Sequence, residues 1–96
     1  MYNFVFNEEK NRKLKSERNL SFEMAIQAIH EGGLLAIITH PKTQKYQNQK
    51  IFVIEINVYV YVVPFVVDEV KKEIVLKTIY PSRKMTKIYK LGDENG

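Results

Sequence analysis

Residues 50–66, KIFVIEINVYVYVVPFV, constrain the fold more than any other part of the chain. They are β-branched or aromatic almost throughout, which is the composition of strands rather than helices. The longest apolar run, Val58 to Val67, is about half of the roughly 20 residues that a membrane-crossing helix needs. Asn57–Val58 is short enough to close a two-residue hairpin between Ile56 and Tyr59. Val58 suits a positive φ poorly, so a longer turn or a bulge is the alternative. Closed at Ile56/Tyr59, the hairpin puts Phe52, Ile54, Tyr59, Tyr61, Val63 and Phe65 on one face. Ile51, Val53, Val60, Val62 and Val66 fall on the other, with Glu55 as the lone acid. Both faces are apolar. The remaining chain is expected to cover them incompletely, leaving an apolar face that needs a partner.

Further elements follow from local signals. Asn7 is a helix N-cap with Glu8 and Glu9 in the first turn, and a helix runs from Glu8 to Arg18. It is polar nearly all round, with Leu14 as its main anchor. Asn19 ends it in the left-handed region. Ser21 caps a second helix whose Phe22, Ala25, Ile26 and Ile29 share one face, and Gly32–Gly33 stops it. Strands are predicted at Leu34 to His40, Lys50 to Ile56, Tyr59 to Val66 and Glu73 to Tyr80. Pro64 marks a bulge or an unpaired position inside the third. Ser82 caps a C-terminal helix. The expectation is one α+β domain over residues 1–96: two N-terminal helices, a four-stranded antiparallel sheet and a C-terminal helix.

Chemistry-bearing residues are few. The chain has no cysteine, so it has neither disulfides nor a thiolate metal site. His30 and His40 stand in no metal-ligand spacing, and no metal or cofactor is expected. Residues 1–10, MYNFVFNEEK, lack the basic and apolar regions of a signal peptide, so a cytoplasmic protein without a membrane anchor is expected. Glu55 reads either as half of a salt bridge or as a carboxylate able to move protons. The strongest signal is charge placement. Lysines and arginines number 15 against 11 acids, for a net charge of +4. Residues 41–50 contain Lys42, Lys45 and Lys50 and no acid. Residues 82–90 contain Arg83, Lys84, Lys87 and Lys90 and no acid, flanked by Tyr80 and Tyr89. Cations interleaved with tyrosines can hold phosphates and stack bases, and a solvated terminal helix is the ordinary alternative.

Two segments resemble the BrnT-type toxins of bacterial type II toxin–antitoxin systems. FNEEKNRKLKSERNLSFEMA (Phe6 to Ala25) is similar to an opening that runs F-x-W-D-x-x-K, then a basic helix, then H-G-V-S-F-E-E-A; Lys10 and Ser21-Phe22-Glu23 keep the pattern. KTIYPSRKMTKIY (Lys77 to Tyr89) is similar to the closing I-x-x-[AS]-R-[KR]-A-[ST]-x-x-E-x-x-Y, with Ser82, Arg83, Lys84 and Thr86 matching. Phe6 stands in place of the usual Trp, Arg18 of His, Asn19 of Gly and Met85 of Ala. The resemblance implies a RelE-like fold, metal-independent RNA cleavage that halts translation, and a cognate DNA-binding antitoxin. On that reading the expected catalytic residues are Arg83, Lys84, Tyr89 and His40, with Lys10, Arg18, Lys45, Lys50 and Lys87 on the RNA backbone. A non-catalytic RNA- or protein-binding module with the same basic tail is the second expectation, and a domain that has lost its chemistry is the third.

Overall fold

The hairpin closes where expected. In the computed structural model, which describes residues 1–39 and 49–91, Ile56 faces Tyr59 and the register runs unbroken to Gln49 opposite Val66. The turn needs only two residues, with Asn57 at φ 52° and Val58 at φ 68°. Both central residues have positive φ, as the type I′ turn requires. No bulge relieves Val58, which accepts a backbone conformation unusual for a β-branched side chain.

The elements are β1 (Asn3–Val5), α1 (Glu8–Arg18), α2 (Phe22–His30), β2 (Leu34–Thr39), β3 (Gln49–Ile56), β4 (Tyr59–Asp68), β5 (Glu73–Leu76), β6 (Tyr80–Pro81) and α3 (Arg83–Thr86). A π-helical segment, Lys87–Leu91, continues α3. The α+β class holds, but the sheet does not have four antiparallel strands. Among the described residues it has six, in the order β1-β5-β4-β3-β2, with β6 beside β4. It is mixed, because β1 runs parallel to β5.

The strand expected from Glu73 to Tyr80 is broken. Leu76 faces Phe65 and Tyr80 faces Val62, so this edge uses one residue more than its partner across the gap (76 to 80 against 65 to 62). Pro64 explains the break. Its carbonyl accepts from the Lys77 N–H at 2.8 Å, so its ring nitrogen, which has no hydrogen, lies on the same edge and cannot donate. The displaced chain turns Ile79 fully into the core.

The two sheet faces carry two apolar clusters. Phe52, Ile54, Val63 and Phe65 pack with Leu14 of α1, Phe22 and Ala25 of α2, Leu20, Leu76 and Ile79. Ile51, Val53, Val60 and Val62 form the second cluster, under Met85 of α3 and Tyr89. The alternation was legible residue by residue. Among the described residues the centre of this second face is covered, against the expectation of an open one: Val53 and Val60 are both 0% exposed. The tail covers that face because Thr86 binds it directly. Its Oγ1 accepts from the Val60 N–H at 3.0 Å and donates to the Ser82 carbonyl at 2.7 Å. Lys90 adds an ion pair to Glu55 at 2.8 Å. Glu55 is therefore half of a structural pair, and one cation of the basic tail is committed to docking it.

The caps follow the sequence. Asn7 Oδ1 accepts from the Lys10 N–H, Ser21 Oγ from the Met24 N–H and Ser82 Oγ from the Met85 N–H. Asn19 adopts φ 56°. Gly33 does more than stop α2. A Cβ there would lie 2.9 Å from the Glu55 carbonyl oxygen, and the Gly33 carbonyl accepts from the Glu55 N–H at 2.8 Å. Asn11 ties α1 to α2: Oδ1 accepts from the buried Phe22 N–H and Nδ2 donates to Glu23, each at 2.8 Å. That donation, with a backbone N–H and the nearby Lys15 charge, holds the Glu23 carboxyl below its ordinary pKa.

Candidate nucleic-acid interface

Helix α1 lies beside the β5–β6 segment, with Leu14 and Asn11 facing inward and its remaining side chains exposed. Three hollows run along this seam. The first is lined by Asn7, Glu9, Lys10, Lys13, Val75, Leu76 and Lys77. The next is lined by Lys10, Lys13, Leu14, Glu17, Arg18 and Thr78. The last, of about 390 Å³, is lined by Arg18, Leu20, Tyr61, Tyr80 and Pro81. Adjacent hollows share Lys10 and Lys13, then Arg18, so they form one groove. From Lys10 to Arg18 the helix rises about 12 Å.

The groove is positive. Lys10, Lys13, Arg18 and Lys77 line it, against Glu9 and Glu17. Among the described residues none of these four cations is in an ion pair; the pairs found are Lys15–Glu23, Lys72–Glu69 and Lys90–Glu55. Charges left without counter-ions are available to phosphate oxygens.

The expected site residues fall into three groups. Lys10 and Arg18 share the groove. Arg83, Lys84 and Lys87 are exposed on the C-terminal helix, whose Met85 and Tyr89 pack on the opposite sheet face from Leu14 of α1. The chain joins the two groups quickly: Pro81 lines the groove beside Arg18, and Arg83 begins α3 two positions later. The α-helical part of α3 is a single turn, so its N-terminus has little helix dipole to offer an anion. Tyr89 is half-buried in the second cluster, which fixes its ring. Lys50 is exposed on β3 opposite Thr39 and Phe65. His40 and Lys45 lie outside the described residues.

Sequence reasoning missed Lys13, Lys77 and Tyr61. Lys13 stands one turn from Lys10 on a helix with few apolar positions to orient it, so a register signal was present but weak. Lys77 and Tyr61 join the groove through a strand break that depends on tertiary pairing. His30 is exposed, edge-on to Phe4 with ring centroids 6.0 Å apart, consistent with a structural role. Among the described residues no three His, Cys, Asp or Glu side chains gather to hold a metal, and no helix is long and apolar enough to cross a membrane. In comparisons with protein-family models, curated proteins and solved structures, nothing matches this chain.

Proposed function

We propose that this chain is a metal-independent ribonuclease toxin of the BrnT type, with a RelE-like fold, acting in the cytoplasm and neutralised by a cognate DNA-binding antitoxin. The observation that carries the RNA reading is the groove along α1, where Lys10, Lys13, Arg18 and Lys77 stand without ion pairs among the described residues. The two terminal motifs support the toxin assignment. The covered second sheet face removes an open apolar surface as an argument for the antitoxin, which therefore rests on the motifs alone.

The proposed reaction uses the RNA's own nucleophile. The 2′-oxygen attacks the adjacent phosphorus and loses its proton to a base; the bond from phosphorus to the 5′-oxygen breaks, and that oxygen gains a proton. The products are a 2′,3′-cyclic phosphate and a 5′-hydroxyl. Arg83 and Lys84 would stabilise the phosphoryl oxygens, and Lys10, Arg18, Lys45, Lys50 and Lys87 would hold flanking backbone. His40 or Tyr89 would carry protons. General acid–base help contributes about 10²–10⁴-fold to such a step, and preorganised cations a comparable factor.

A non-catalytic RNA-binding module is the second reading. It is favoured by the mounting of Lys10 and Arg18 on one sheet face and of Arg83 and Lys84 on the other. A phosphate clamp needs its cations at one point, whereas a binding surface can wrap an edge. Controlled expression with RNA integrity followed over time separates the two. The toxin reading expects growth arrest with RNA fragmentation, relieved by Arg83→Ala. Unchanged arrest with a folded Arg83→Ala protein contradicts the assignment of Arg83.

A further inference from the structure

We infer that the hollow at the end of α1 is a subsite for one nucleobase, stacked on Tyr80 and capped by the guanidinium of Arg18. This inference rests on the RNA reading above and adds what part of the RNA that end of the groove takes. Its lining differs from the rest of the groove. Lys10, Lys13 and Lys77 are point charges, which suit phosphate oxygens. Among the described residues the end hollow is instead lined by two tyrosines, a proline and a leucine, with one planar cation and no acid. Planar apolar walls with a single delocalised charge fit a planar π-faced group that carries an anion beside it. A nucleotide has that form, and its size suits a cleft of about 390 Å³.

The walls are held by regular structure. Arg18 is the last residue of α1, where Asn19 at φ 56° ends the helix. Leu20, in the same lining, is buried at 5% exposure. Tyr61 is half-buried on β4, with Tyr59 set edge-on at 5.7 Å and 67°. Tyr80 is 40% exposed and fixed through its backbone pairing with Val62. A base entering here keeps its phosphates beside Arg18, and the adjoining hollow leads the strand to Lys13 and Lys10. The arrangement combines a stacking platform with an electrostatic track, the combination used for single strands.

The test is binding of a labelled 2′-O-methyl oligouridine, which lacks the attacking hydroxyl and stays intact, compared with an abasic oligomer of equal length. Fluorescence anisotropy reads both. Wild type should bind the oligouridine about 5- to 100-fold more tightly than the abasic strand. Tyr80→Ala and Arg18→Lys should lose most of that preference, and Tyr80→Phe should keep it within about twofold. Arg18→Lys should weaken oligouridine binding more than abasic binding, because it retains the charge and removes the plane. Equal affinity of wild type for both strands overturns the base subsite and leaves RNA binding standing. No binding of either strand overturns both.

Discussion

Val58 sits at φ 68° in a turn with no glycine, and its side chain is 71% exposed, so no packing repays the strain. A β-branched residue in the left-handed region costs about 1–2 kcal/mol. Val58→Gly removes that strain but loosens the unfolded chain by about 0.4–1 kcal/mol. The net expectation is a gain of about 0.5–1 kcal/mol and a Tm raised by roughly 2–8 °C in a calorimetric scan. A lower Tm would show that the turn is not strained. Asn11 is the opposite case, 1% exposed and bonded to both Phe22 and Glu23. Asn11→Ala orphans the buried Phe22 N–H and should cost about 1–3 kcal/mol in urea unfolding. It should also change the acid response. Glu23 has a folded pKa below its unfolded one, so it contributes stability above about pH 4.3 and loses it as pH falls through the lower folded value. Asn11→Ala should shrink that acid-dependent loss, measured as urea midpoints at pH 3 and pH 6. The caps at Asn7, Ser21 and Ser82 were legible because each is a bond between neighbours in sequence. Asn11 was not: a polar residue on a polar helix carries no local sign that it points inward.

At the scale of elements, period, composition and caps defined β2, the hairpin and the three helices, and tertiary pairing decided β1 and the break between β5 and β6. Strand β1 is three residues long, too short for alternation to register, and its partner β5 lies 70 residues on (Asn3 to Glu73). The break between β5 and β6 follows from Pro64 on the neighbouring strand. Proline was visible in the sequence, but which strand would yield to it was not. The C-terminal helix depends most on a few contacts. Thr86→Val keeps the shape and removes the hydroxyl that joins α3 to β4. It leaves the Val60 N–H unsatisfied and should cost about 1–3 kcal/mol. Amide hydrogen exchange should rise first in residues 83–91, while the cluster around Phe22 and Ile54 stays protected. Uniform exchange across the chain would mean that the tail is not a separately stabilised unit.

Among the described residues, cations without ion pairs line the groove along α1 on one face of the sheet, and Arg83, Lys84 and Lys87 are exposed on the helix that packs on the other. The basic tail was legible as a run of letters. The groove was not, because Lys13, Lys77 and Tyr61 come from three separate parts of the chain that meet only in the fold. The direct measurement is incubation of the purified protein with end-labelled single-stranded RNA in EDTA, with the product ends identified. The account predicts cleavage without added metal, yielding 5′-hydroxyl and 2′,3′-cyclic phosphate ends. RNA that is bound yet remains whole, or cleavage that yields 5′-phosphate ends, would contradict it.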